Sequence, residues 1–162
     1  MQIGQRLWQE GPQKVSILTD GCARGNPGPA GSGVIILDAD GRTILEKARY
    51  LGTATNNVAE YTALIDGLRE AADLGAREVA VRTDSELVVR QMKGEYKVKD
   101  VKLKELFAEA RRLAQGFAVV GFTHVQRENN READRLANRA VDSFLGVKDE
   151  RGSGADTAQP LS

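Results

Sequence analysis

A mixed α/β fold is what this sequence predicts, and three observations carry the prediction. Strand-like runs at 14–20, 32–52, 77–84 and 117–125 are joined, from residue 57 onward, by segments whose apolar residues recur at helical spacing. The first three strands follow one another with only turns between them, as in an antiparallel meander, whereas the later ones are separated by helices long enough for parallel crossovers. The chain has 162 residues and 41% hydrophobic content, which suits one domain with a real core and is too little for two comfortable ones.

After a lead-in over 1–13, KVSILTD (14–20) is the first strand. SGVIILDADGRTILEKARYLG (32–52) supplies two more around the DADG turn. From Asn57 to Leu74 the residues Tyr61, Leu64, Ile65, Leu68, Ala71 and Ala72 form an apolar stripe, and Gly75 closes that helix. REVAVRTD (77–84) is the fourth strand and runs directly into the short helix SELVVRQMKG. A helix from about Val101 to Gln115, the strand FAVVGFTHV (117–125), the polar loop QRENN and a last helix from about Asn130 to Leu145 complete the domain, expected over 14–145. Residues 146–162 have no apolar periodicity and read as a disordered tail.

Basic and acidic residues balance at 23 each, so any affinity for a polyanion must come from a local patch rather than from net charge. Cys22 is the only cysteine, which rules out an internal disulfide framework and fits a reducing compartment. The N-terminus lacks the apolar core of a signal peptide, and no run of about 18 apolar residues occurs. A cytoplasmic protein without membrane contact is the expectation. No G-x-G-x-x-G opens a helix and no GK[ST] is present, which argues against nucleotide binding. Trp8, in the lead-in, is expected to pack on the domain.

Four carboxylates stand in awkward places. Asp20 and Asp84 end the first and fourth strands in matching contexts, ILTDG and VRTDS. Taken singly, Asp20 suits a turn and Asp84 suits a helix cap. Glu60 has the spacing of a capping box with Asn57, yet Leu64 and Ala71 fall within roughly 40° of it on the helical wheel, so it points along the core stripe. On the last helix Ala133, Ala137, Ala140, Val141 and Phe144 form the apolar stripe, and Asp134 lies about 20° from Val141. Should the four converge at one sheet edge, unit charges about 4 Å apart repel by roughly 4 kcal/mol per pair at an effective dielectric near 20. Either their pKa values rise or divalent cations bind, and an all-oxygen set suits hard Mg²⁺ or Mn²⁺.

With these residues in place, the chain resembles type 1 ribonuclease H. The resemblance rests on TDGCARGNPGPAGSG (19–33), TNNVAEYTAL (55–64), TDSELVVRQMKG (83–94) and VQRENNREADRLAN (125–138), which occur in the family's order across nearly the whole domain. It implies a ribonuclease H-like fold, a five-stranded mixed sheet of order 3-2-1-4-5 flanked by helices. It also implies a metal set of Asp20, Glu60, Asp84 and Asp134 holding two Mg²⁺ ions, for which Mn²⁺ can substitute, with Asp20 bridging both. The implied reaction is hydrolysis of the RNA strand of an RNA/DNA hybrid duplex by a monomeric enzyme, leaving 3′-hydroxyl and 5′-phosphate ends.

By the same resemblance the glycine-rich stretch lies along the RNA strand, with Gly21, Cys22, Ala23 and Gly25 near its 2′-hydroxyls. Asn26, Asn56 and Asn57 match readers of the hybrid minor groove, and Thr55 matches a DNA-phosphate contact. Many members place a histidine in the loop before the last carboxylate. Here His124 falls in a strand, and Arg127 matches a subgroup with a V-x-R-E-x-N loop, so Arg127 is favoured; it would act electrostatically, since a guanidinium is no base at ordinary pH. The large basic protrusion of some members is reduced here to KGEYKVKDVKLK, with Lys93, Lys97, Lys99, Lys102 and Lys104 as a local basic run. Cys22 reads as a packing or backbone-contact residue rather than a nucleophile. Two readings stay beside the leading one: a non-catalytic hybrid-binding module, and a nuclease that also acts on double-stranded RNA.

Overall fold

Buried side chains recur at every second residue through Val15, Ile17 and Thr19, an alternation that turns one face of the first strand onto the core. In the computed structural model, which describes residues 11–146, that strand is β1 (Lys14–Ala23). β2 (Gly28–Leu37) and β3 (Thr43–Ala54) follow as antiparallel hairpins. α1 (Asn56–Asp73), β4 (Glu78–Thr83), α2 (Glu86–Met92), α3 (Val101–Ala114), β5 (Val119–His124) and α4 (Arg131–Leu145) complete the chain, with a 3₁₀ turn at Arg127–Asn129. β4 pairs parallel to β1 and β5 parallel to β4, giving the order 3-2-1-4-5. Trp8 and residues 147–162 lie outside the described residues. No helix among the described residues is long and apolar enough to cross a membrane.

The core lies between the sheet and α1 and α3. Ile17, Val34, Ile36 and Val81 meet Tyr61, Leu64 and Leu68, with Leu103 and Ala110 closing the far side. The Tyr61 hydroxyl donates to Gln91 Oε1 at 2.6 Å, and Gln91 Nε2 donates to the Lys97 carbonyl at 3.1 Å. That buried polar link fastens α2 and the following loop to α1. Ala72 of the anticipated stripe is exposed although its neighbour Ala71 is fully buried, and Gly75 ends the helix with φ 84°.

α4 covers the opposite face. It sits on bare strand: a Cβ on Gly31 would fall 2.4 Å from the Ala137 carbonyl oxygen, and one on Gly33 would fall 2.2 Å from that of Ala133. Of its anticipated stripe, Ala133, Ala137 and Val141 are buried, whereas Phe144 is 60% exposed and instead stacks on Tyr50 with ring centroids 3.8 Å apart. Leu136, absent from the anticipated stripe, is fully buried.

One buried carboxylate belongs to the scaffold. Asp66 is 4% exposed and accepts from Ser32 Oγ at 2.9 Å and from Arg49 Nε and Nη2 at 3.0 and 2.9 Å. Arg49→Ala strands that charge, and because the guanidinium is itself partly solvated the expected loss is about 2 kcal/mol, below the range for fully buried pairs. Urea unfolding measures it, and Asp66→Asn in the same background should recover part of the loss. A cost below about 0.5 kcal/mol, the level of an ordinary surface change, would contradict the assignment.

Candidate functional site

Asp20 does not end its strand. β1 continues through Gly21, Cys22 and Ala23, which pair with Ser32, Gly31 and Ala30, so the aspartate sits inside the ladder opposite Gly33 and is only 4% exposed. Small residues on both strands allow the extension, since the partner side chains add no bulk against α4. The turn proper is Arg24–Pro27, with Gly25 at φ 103° and a cis Asn26–Pro27 peptide.

Asp84 follows β4 directly, but it is not the cap of α2. Ser85 takes that role, its Oγ accepting from the Val88 amide at 3.3 Å. The capping box at α1 is likewise absent: Thr55 is the N-cap, its Oγ1 accepting from the Val58 amide at 3.2 Å, and the helix begins at Asn56. Glu60 is thereby released to face the sheet, where its Oε1 accepts from the Gly21 amide at 3.0 Å. That bond works because Gly21 lets β1 pass against the backbone of α1.

These placements bring one oxygen each from Asp20, Glu60 and Asp84 within 4.8 Å of one another. Asp134, in the first turn of α4, stands near enough to Asp20 for its charge to act on that carboxyl, but the three-oxygen cluster does not include it. Burial pushes the Asp20 carboxyl up to about 10, and the charges of Glu60, Asp84 and Asp134 add to the rise. Burial followed by Asp84 raises Glu60 to about 8, against the opposing pull of the Gly21 amide and the Arg127 charge. The Cys22 thiol is pushed up to about 11, first by burial and then by Asp20, so it is neutral and a poor nucleophile.

The cluster fits a hard divalent cation. Its donors are all oxygen, they are close enough to share an ion, and a positive charge would relieve the repulsion that raises their proton affinity.

A cleft of about 530 Å³ opens over the carboxylates. Gly21, Cys22, Ala23, Asn56 and Asn57 line it, as do His124 and Arg127. His124 ends β5 and acts electrostatically on Glu86, whereas Arg127, in the 3₁₀ turn, acts on Glu60. Gly25, Asn26 and Thr55 stand outside the cleft wall, but Asn26 is tied to it: its Oδ1 accepts from the Asn56 amide at 2.9 Å, and Asn56 Oδ1 accepts from the Ala23 amide at 3.0 Å. Five further lining residues were not anticipated as site residues: Ser85, Val125 and Gln126, and, with side-chain partners across the site, Arg24 and Asn138. The i, i+4, i+8 spacing of Asp134, Asn138 and Asp142 was a signal for Asn138; nothing local to Arg24 reveals its partners.

Comparison with known proteins gives a consistent picture. A family profile described as "Reverse transcriptase-like" matches residues 18–140. A bifunctional protein of Mycobacterium tuberculosis is 51% identical over 131 residues, covering 80% of this chain but 36% of its own length. The present chain therefore spans about a third of that relative. A Halobacterium salinarum protein named ribonuclease HI is 43% identical over 129 residues, 80% of this chain and 65% of its own. The solved structure of LC11-RNase H1 in complex with an RNA/DNA hybrid superposes with a TM-score of 0.78 at 49% identity, covering 81% of this chain and 99% of that one.

Proposed function

Because the chain belongs to the type 1 ribonuclease H family, we propose that its domain, residues 14–145, is an endoribonuclease that hydrolyses the RNA strand of RNA/DNA hybrids, leaving 3′-hydroxyl and 5′-phosphate ends. The observation that carries this reading is the meeting of the Asp20, Glu60 and Asp84 oxygens at the floor of a cleft walled by asparagines. Asp20, Glu60, Asp84 and Asp134 would hold two Mg²⁺ ions, replaceable by Mn²⁺, which when bound supply a water of lowered pKa and charge stabilisation at the departing 3′ oxygen.

The chain's own groups do the rest. The Gly21 amide fixes which way the Glu60 carboxylate faces. The side-chain oxygens of Asn26 and Asn56 are both committed to backbone amides, so each side chain has its NH₂ left for the purine N3 and pyrimidine O2 acceptors of a minor groove. Backbone along Gly21, Cys22, Ala23 and Gly25 would follow the RNA 2′-hydroxyls, with Asn57 beside them and the Thr55 hydroxyl on a DNA phosphate. Lys93, Lys97, Lys99, Lys102 and Lys104 are all exposed and form a footprint for the DNA strand, which makes binding weaken as salt rises.

Arg127 would hold the scissile phosphate during in-line displacement. Arg127→Ala is expected to lower kcat on the order of 10²-fold, the scale of losing one charge-stabilising donor, and His124→Ala far less. A larger loss for His124→Ala would reverse the assignment. The function itself is tested by offering labelled RNA/DNA, RNA/RNA and DNA/DNA duplexes with Mg²⁺ or EDTA. Metal-dependent cutting of the hybrid RNA strand is expected. Cutting that survives EDTA would overturn the mechanism, and an intact hybrid would point to a binding module.

A further inference from the structure

A relay of side chains outside the three-oxygen cluster ends on Asp134. Arg24, in the turn between β1 and β2, donates from Nη2 to the Asn138 carbonyl at 3.2 Å and to its Oδ1 at 3.1 Å, while Nη1 pairs with Asp142 at 2.6 Å. Asn138 Nδ2 donates in turn to the Asp134 carbonyl at 3.0 Å and to its Oδ1 at 3.2 Å.

A side-chain amide can show a neighbour either its oxygen or its NH₂, and the neighbours decide which. Here the neighbours are of fixed kind: the Arg24 guanidinium, which only donates, meets Oδ1, and the Asp134 backbone carbonyl, which only accepts, meets Nδ2 beside the Asp134 Oδ1. A single orientation of Asn138 satisfies both. Arg24 therefore ensures, without touching Asp134, that a donor faces it. The turn docks onto α4 through the bonds of Arg24 to Asp142 and Asn138, whereas the contact from Asn138 to the Asp134 carboxylate lies within α4 and joins nothing to the turn directly.

We propose that Asn138, oriented by Arg24, is the positioning residue of Asp134. It ties down Oδ1 of the carboxylate that the three-oxygen cluster leaves out, and so fixes how that carboxylate meets a divalent cation held by Asp20. This inference rests on reading the carboxylates as a metal centre.

The test is Mn²⁺ binding without substrate, followed by water-proton relaxation, together with kcat and KM on a hybrid. Asn138→Ala is expected to raise the Mn²⁺ Kd and lower kcat by about 10-fold each, the usual scale for losing a group that orients a metal ligand, with KM within about 2-fold of the parent. Arg24→Gln should weaken Mn²⁺ binding by about 3-fold, a smaller effect because it acts at one remove. If Asn138→Ala binds Mn²⁺ and turns over like the parent, whatever its Tm, the relay is overturned. If that variant does not fold, unchanged Mn²⁺ affinity in Arg24→Gln overturns it instead. A parent that binds no Mn²⁺ overturns the metal reading and the relay with it.

Discussion

Asp20→Asn should reduce hybrid cleavage by at least about 10³-fold in Mg²⁺ while making the metal-free protein more stable at neutral and alkaline pH. The activity loss follows from position: Asp20 is buried between Glu60, Asp84 and Asp134, so no neighbour can stand in for its oxygens. The stability gain follows from proton linkage. The folded Asp20 and Glu60 carboxyls, at about 10 and about 8, lie above their unfolded values of 3.8 and 4.5, so folding takes up protons. Their contribution is complete below the unfolded pKa values and disappears as pH rises through the folded ones. The metal-free parent should therefore lose Tm progressively from about pH 5 to pH 9 relative to the variant. At pH 8 the variant should lead by about 2 kcal/mol, or roughly 6 °C. Taking the difference between the two proteins cancels the opposing effect of the Arg-paired carboxylates, whose folded pKa values are lowered. Cleavage within about tenfold of the parent would remove Asp20 from the reaction. A variant less stable than the parent at pH 8 would show that the cluster is not repulsive.

Gly21→Ala should cost at least about 3 kcal/mol and most of the activity. A Cβ at this position would lie 2.2 Å from the Ala59 carbonyl carbon, 2.3 Å from its oxygen and 2.4 Å from the Glu60 amide nitrogen. All three are backbone atoms, so no rotamer change relieves the clash, and β1 and α1 must separate. Separation breaks the bond from the Gly21 amide to Glu60 and moves two of the three clustered carboxylates relative to each other. Gly121→Ala is the control, since a Cβ there meets nothing within 4 Å and should change stability by less than about 0.5 kcal/mol. Urea unfolding of both variants decides the matter; equal stabilities would mean that β1 and α1 are not pressed together as described.

The order of elements was legible because it depends on local pattern, and so was the inward turn of Glu60, which follows from its place on the α1 wheel. What escaped depended on partners far away in sequence. Asp20 looked like a strand end because Gly21, Cys22 and Ala23 have little strand character of their own; the pairing with Ser32, Gly31 and Ala30 extends β1 past it. Asn57 and Glu60 had capping-box spacing, but Thr55 was an equally good cap two residues earlier, and the Gly21 amide competed successfully for the glutamate. Asp66 drew no notice as an ordinary helix aspartate, because Ser32 and Arg49, which make its burial tolerable, come from β2 and β3. Phe144 fitted the apolar period of α4 but comes to rest at the edge strand β3, where it stacks on Tyr50 and stays 60% exposed.

The seats that Gly21, Gly31 and Gly33 provide have a further consequence for heredity. Main chain rests on main chain at all three: Gly21 seats β1, which bears Asp20, against α1, which bears Glu60, and Gly31 and Gly33 of the neighbouring β2 seat α4, which bears Asp134, so backbone contact rather than side-chain packing sets these separations. Drift elsewhere in the interior, a valine exchanged for an isoleucine or a leucine for a methionine, can then accumulate over generations without retuning the spacing of the acids. Lineages would be free to adjust thermal tolerance by altering their interior while keeping the same chemistry, so long as these three positions stay bare.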